Sequence, residues 1–242
     1  MDKHKILFLH GWLFDSRIWF GLDELFSKEN QTILIDLPGY GKNKESKSNI
    51  RDYCKEIFSN QTSPTVLISW SFGGTLALLS LSKNYPFIKK VVIINSHLRL
   101  MNYMDENSEI NLKNINNMKE DLASDREKTL KKFFFQCIKG SSEELNDYKL
   151  LTEKFNLSTL PDNKILIDGL DDIININCYN NLRDTKKEVL IISGSKDHLV
   201  GKKLYPEFKN NKNISFCSLQ NIPHIPFISF KRELVDTIRK FI

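Results

Sequence analysis

Six short apolar runs punctuate an otherwise polar chain, at residues 6–9, 32–35, 66–68, 91–94, 189–192 and 214–216. In most of these runs the apolar residues follow one another instead of alternating, the pattern of strands covered on both faces. Between the runs, residues 16–28, 50–60, 73–84 and 231–241 carry apolar side chains at three- and four-residue intervals, which predicts amphipathic helices. Strand and helix in alternation define the α/β class, a mostly parallel sheet flanked by helices and joined by right-handed crossovers. The rhythm breaks between Asn95 and Glu188, where Asn, Lys, Asp and Glu dominate and residues 118–140 read as one amphipathic helix. A break of that size between two strands predicts a helical insertion over one edge of the sheet. The expected division is a core of residues 1–95 and 188–242, with residues 96–187 as a helical lid inserted in the same domain.

Composition narrows this picture. A chain of 242 residues with 40% hydrophobic content supports one substantial core and is too short for two ordinary enzyme domains plus a linker. No stretch reaches the ~20 apolar residues of a membrane span, so no membrane contact and a cytoplasmic location are expected. The net charge of +5, from 35 Lys and Arg against 30 Asp and Glu, falls short of a nucleic-acid-binding footprint. Cys54, Cys137, Cys178 and Cys217 lie far apart without metal-ligand spacing, which suggests buried reduced thiols. Neither a metal nor an organic cofactor is expected, and the chain is expected to act as a monomer.

The third apolar run leads through Ser69-Trp70-Ser71-Phe72-Gly73-Gly74 into a helical segment. A strand, a turn of small residues and a helix form the context of a nucleophile elbow, with Ser71 at its tip and the helix N-terminus favouring developing negative charge. Ser71 is also in place to cap the following helix, a common role for serine. What raises the catalytic reading is the rest of the chain. Asp197 follows the fifth apolar run and His224 follows the sixth, giving the order Ser, Asp, His. A serine hydroxyl needs an imidazole to take its proton, and the imidazole needs a carboxylate to fix its tautomer. Ser71 is therefore the candidate nucleophile, His224 the base and then acid, and Asp197 the orienting carboxylate. His198 adjoins the acid and is expected to point elsewhere. His10, at a strand end before Gly11, is expected to brace its loop. Oxyanion donors are expected from the backbone N–H groups of Phe72 and Trp12. The turn Asp36-Leu37-Pro38-Gly39-Tyr40-Gly41 lacks the ending of a phosphate loop.

With these residues in view, the chain resembles the α/β-hydrolases and, among them, the pimeloyl-[acyl-carrier protein] methyl ester esterases of biotin synthesis. The marks of the resemblance are His10-Gly11-Trp12, the turn from Asp36 to Gly41, Trp70-Ser71-Phe72-Gly73-Gly74, and His224-Ile225-Pro226-Phe227-Ile228-Ser229. It implies an α/β-hydrolase fold and hydrolysis of a methyl ester on a chain carried by the acyl carrier protein. It also implies substrate contacts at Trp12, Ser71, Phe72 and His224, and along Phe133-Phe134-Phe135-Gln136-Cys137 of the lid. Docking of the acidic carrier protein is implied at Lys128, Lys132 and Lys149, in a basic stretch that also holds Arg126, Lys131 and Lys139. Three features depart from the family pattern: Ser69 stands at the glycine of the elbow, Asn43 stands where a serine often follows the turn from Asp36 to Gly41, and one or two N-terminal strands common in the superfamily are expected to be absent. The alternative substrate class is another acyl ester or thioester on the same machinery, because the lid decides substrate. A non-catalytic binding protein of this fold is disfavoured by the intact Ser71, Asp197 and His224.

Overall fold

The six apolar runs form the six parallel strands of one sheet, in a computed structural model that describes residues 4–97, 112–200, 208 and 210–242. The strands are β1 (Lys5–Leu9), β2 (Gln31–Ile35), β3 (Thr65–Trp70), β4 (Ile88–Ile94), β5 (Glu188–Gly194) and β6 (Ile214–Leu219), in the order β2-β1-β3-β4-β5-β6. Every neighbouring pair is parallel. β3, in the interior of the sheet, is buried along its whole length, whereas edge strand β2 is largely open, as continuous apolar runs at the centre require. The strand order reverses between β1 and β3, so a crevice opens at their C-terminal ends. Leu9 pairs with Ser69, Ser69 with Ile93, and Ile94 with Ile192. In that register the residues just beyond β1, β3, β4 and β5 emerge along one edge.

The helices that pack on this sheet follow their apolar spacing where the backbone allows it. In α2 (Ile50–Ser59), Asn49 caps the first turn by accepting from the N–H groups of Arg51 and Asp52, and Ile50, Cys54 and Phe58 bury at four-residue intervals. In α9 (Lys231–Arg239), Leu234, Val235 and Ile238 face the core. Residues 16–28 do not form one helix. A 3-10 turn at Ser16–Trp19 and a short α1 (Glu24–Ser27) are separated by Phe20 and Gly21, both at positive φ, which an α-helix excludes. Ile18, Trp19, Leu22 and Phe26 still turn inward, which is why the spacing reads as helical. Residues 73–84 likewise divide, into α3 (Phe72–Ala77) and a 3-10 turn at Leu78–Leu81.

Between β4 and β5 lie α4 (Leu112–Ser124), α5 (Arg126–Ile138), α6 (Glu144–Lys154), α7 (Asn163–Asn175) and α8 (Tyr179–Arg183). Residues 98–111 of the expected lid lie outside the described residues. The single helix expected at 118–140 is two, because Asp125 leaves helical geometry at φ −148° and its carboxylate caps α5 by accepting from Lys128 N. Charged and polar contacts tie the insertion together and to the core. Lys119 pairs with Asp171, Arg51 reaches Asp172 at 2.6 Å, and Arg126 donates to Asn163 Oδ1 and the Pro161 carbonyl. The apolar seam centres on Phe14, whose ring meets those of Phe133, Phe134 and Phe155. Among the described residues no helix is long and apolar enough to cross a membrane.

Candidate active site

Ser71 sits between β3 and α3 at φ 53°, ψ −123°, a conformation that costs a non-glycine residue about 1–3 kcal/mol. Its own backbone is held on both sides: its N–H donates to the Ile94 carbonyl at 2.9 Å, and its carbonyl accepts from Ser96 Oγ at 2.6 Å. The glycines that follow are required by close approach. A Cβ on Gly73 would lie 2.4 Å from the carbonyl oxygens of both Leu9 and His10, and one on Gly74 would lie 2.6 Å from Ser96 Cβ. The first turn of α3 therefore rests directly on the end of β1, beside Gly11 and Trp12. Ser69 fits where the family pattern has glycine, because its buried hydroxyl donates to the Val92 carbonyl at 2.7 Å and leaves no orphaned polar atom.

The structure brings the three candidate triad side chains together in one line. His224 Nε2 lies 3.0 Å from Ser71 Oγ, and His224 Nδ1 lies 2.9 Å from Asp197 Oδ2. The other carboxylate oxygen, Asp197 Oδ1, accepts from the N–H groups of Leu199 and Val200 at 2.9 and 3.1 Å. With both oxygens occupied, Asp197 holds one rotamer and presents an acceptor to Nδ1–H, which leaves the Nε2 lone pair aimed at the serine proton. Asp197 and His224 are both buried, so this polar chain is sheltered from competing water. The loop carrying His224 is anchored by the Trp70 indole, whose Nε1–H donates to the His224 carbonyl at 2.8 Å while its ring packs on Phe227.

The other candidate groups fall elsewhere. His10 is fully buried; its Nδ1–H donates to the Gly11 carbonyl and its Nε2 accepts from Leu37 N–H. Burial pushes its pKa below the ordinary histidine value, so it is a neutral strut between the β1 and β2 loops. His198 is exposed to solvent, and it is His224 that meets Ser71 Oγ. Burial, helped by the nearby Asp197 charge, pushes the Cys137 thiol well above its ordinary pKa, and burial raises Cys54 to about 12, so neither is a thiolate nucleophile.

Beside Ser71 opens a cavity of about 290 Å³. Trp12, Ile115, Met118, Phe133, Leu170, Ile173 and Leu199 give it an apolar wall, and Asn114, Asn117, Asp121, Thr129, Lys132 and Gln136 give it a polar one. Trp12 is fixed there by a bond from its Nε1 to the Leu166 carbonyl and by edge-on contact with Phe133 at 4.9 Å. The three consecutive phenylalanines do not act as one wall. Successive helical positions turn by about 100°, so Phe133 lines the cavity, Phe134 packs inward on Phe14, and Phe135 faces solvent against Tyr148. Of the expected contacts on α5, Phe133 and Gln136 reach the cavity, whereas Phe134, Phe135 and Cys137 do not line it; Cys137 instead uses its carbonyl to accept from Ile225 N–H at 3.0 Å. The Phe72 side chain is buried and also outside that lining, which leaves its backbone N–H as its route to the site.

On the outer surface Lys128 and Lys149 are exposed, and Lys132 stands at the cavity. Arg126 is instead spent on the insertion's own polar contacts. Asn95 was not among the candidates, yet it lies buried at the end of β4 with its carboxamide bonded to both the Asp197 and His224 sides of the site. A polar residue closing an apolar strand reads as loop, and neither these bonds nor its φ of 44° is visible in the sequence.

An all-parallel sheet whose strained Ser71 meets His224 and Asp197 at its C-terminal edge defines a hydrolase of one recognisable class, and the chain belongs to the α/β-hydrolase fold family, whose model matches residues 5–230. The chain is 32% identical to the pimeloyl-[acyl-carrier protein] methyl ester esterase of Wigglesworthia glossinidia brevipalpis, over 98% of this chain and 93% of that protein. At that identity over nearly the whole of both chains, it is a member of that esterase's family. It is also 27% identical to the protein of the same name from Shewanella oneidensis, over 96% of this chain and 89% of that one. Among solved structures, an esterase from Exiguobacterium antarcticum superposes with a TM-score of 0.84 at 18% identity, covering 99% of this chain and 92% of its own, a likeness of fold.

Proposed function

We propose that the chain is a serine carboxylesterase that hydrolyses the methyl ester of pimeloyl-[acyl-carrier protein], releasing methanol and leaving a free carboxylate at the end of the carried chain. The observation that carries this reading is the unbroken Ser71–His224–Asp197 hydrogen-bond chain at the mouth of a half-apolar cavity, in a chain so similar to esterases of that name. Ser71 Oγ attacks the ester carbonyl as its proton passes to His224 Nε2. The resulting oxyanion is met by the N–H groups of Phe72 and Trp12, and Asp197 stabilises the imidazolium without taking its proton. His224 then protonates the departing methoxide, and water, deprotonated by the same nitrogen, releases the acid from the acyl-enzyme. The helical insertion is the lid, with Phe133 and Trp12 against the acyl chain.

The carrier protein docks on the outer face of α5 and α6. Lys128 and Lys149 supply positive charge there, with Lys132 beside them at the cavity, and Leu145, four residues before Lys149 on the same helical face, is 86% exposed. An apolar side chain so exposed beside lysines suits an acidic partner with apolar contacts at its centre. The test is to incubate the chain and its Ser71→Ala variant with methyl pimeloyl-acyl carrier protein and follow the free-acid product by mass. Product from the first and not the second supports the reading. No product, with simple p-nitrophenyl esters still cleaved, removes the substrate and keeps the esterase.

A further inference from the structure

Three separate loops carry the candidate triad, and one short segment reaches all three. That segment is the end of β4. The Ile94 carbonyl accepts from Ser71 N–H, and Ser96 Oγ donates to the Ser71 carbonyl at 2.6 Å. Between these two, the Asn95 carboxamide reaches across to the other loops. Its Nδ2 donates to the Pro223 carbonyl at 2.9 Å and the His224 carbonyl at 3.0 Å, and its Oδ1 accepts from Gly194 N–H at 2.7 Å. Gly194 opens the turn that holds Asp197, since Asp197 N–H donates back to the Gly194 carbonyl at 3.1 Å.

We infer that Asn95 is a positioning residue that sets the Asp197-to-His224 spacing, and that Ser96 does the same for the nucleophile turn. This rests on the triad reading above. The chemistry at position 95 admits no close substitute. Two carbonyls demand a donor of two hydrogens and one N–H demands an acceptor, so a primary amide in one orientation satisfies all three. An aspartate keeps the acceptor but turns a carboxylate oxygen towards two carbonyl oxygens. An aliphatic residue of the same shape leaves all three backbone groups without these bonds in a buried site. The backbone adds a second constraint, because φ of 44° is one that asparagine tolerates better than most residues. A displacement of ~1 Å between base and acid, or base and nucleophile, is enough to cost about 100-fold in rate, so a bond network that spans the three loops acts on kcat.

The test compares Asn95→Asp, Asn95→Gly and Ser96→Ala with the unaltered chain and with Ser71→Ala. Four quantities are read: kcat and KM on a p-nitrophenyl ester, the downfield proton resonance of His224 Nδ1–H, and the fraction folded by circular dichroism. Asn95→Asp is expected to stay folded, to lose about 100-fold in kcat with KM within about twofold, and to lose or shift the imidazole resonance. Asn95→Gly, which relieves φ while removing the amide, is expected to behave the same way. Ser96→Ala is expected to lose about tenfold in kcat and to keep the resonance, since its hydroxyl bonds the Ser71 carbonyl, Thr75 and the His97 carbonyl and not the Asp197 or His224 loops. Folded Asn95 variants with unaltered kcat and resonance overturn the inference, as does a loss that tracks the unfolded fraction. Should the Asn95 variants not fold, Ser96→Ala decides for the network, an unaltered kcat overturning it. Absence of Ser71-dependent turnover in the unaltered chain overturns the triad reading itself, a result distinct from all of these.

Discussion

The sheet edge and the helical insertion face each other across one cavity, yet they are held by different means. At the edge, each reactive side chain leaves the end of a strand, and backbone atoms fix its loop: the Ser71 N–H on Ile94, the Asp197 carboxylate on two N–H groups, the His224 carbonyl under Trp70 and Asn95. The insertion is held instead by side-chain pairs such as Lys119 with Asp171 and Arg51 with Asp172, and by the aromatic seam on Phe14. Partly exposed charge pairs contribute little each and exchange readily, whereas buried backbone contacts do not. On the proposed reading, chemistry belongs to the sheet edge, and choice of substrate to the insertion, whose polar surface can change without disturbing the sheet.

Five perturbations sharpen or break that division. The largest effect belongs to the edge: Asp197→Asn is expected to lower kcat roughly 10⁴-fold on any ester while the protein remains folded, by offering Nδ1 the wrong partner. A loss confined to carrier-bound esters contradicts the division. On the insertion side, Phe133→Ala is expected to raise KM for acyl esters about tenfold with little change in kcat, and Phe135→Ala to leave small esters unaffected, both read from initial rates. Combined Lys128→Glu and Lys149→Glu is expected to lower kcat/KM on the carrier-bound ester several-fold at low ionic strength, an effect that fades as salt approaches about 0.15 M. A small free methyl ester serves as the control that stays unchanged. The smallest effect is on stability and comes from His10. Its folded pKa lies below the 6.5 of the exposed group, so below that pH the unfolded chain binds the extra proton. The urea midpoint therefore falls as pH drops through about 6.5 towards 5, and His10→Gln removes that component of the slope. An identical slope in both proteins contradicts the burial account.

The interior strands β1, β3, β4 and β5 were legible because burial on both faces leaves no room for polar alternation, whereas the edge strands β2 and β6 are more open and left a weaker signal. Ser71, Asp197 and His224 were legible because each follows a strand and their chain order is informative without any distance. The insertion was less so. Asp125 divides α4 from α5 with no glycine or proline nearby, its capping role being set by a carboxylate geometry that periodicity does not register. For Phe133 to Phe135 a mixture of substrate contact and packing was expected, but which residue takes which place depends on the helix rotation, which spreads them over three environments. Asn95 was hidden for the opposite reason: its partners are backbone groups distant in sequence, on Gly194, Pro223 and His224, which no local pattern encodes.

The central claim, that Ser71 is a nucleophile activated by His224, is tested most directly by covalent labelling. The chain is treated with a fluorophosphonate at neutral pH, and the site of the adduct is located by peptide mass spectrometry, beside a His224→Ala variant. A single adduct on Ser71 in the unaltered chain, formed slowly or not at all in His224→Ala, is the expected result. Equal labelling of both proteins, or an adduct on another residue with Ser71 untouched, contradicts it.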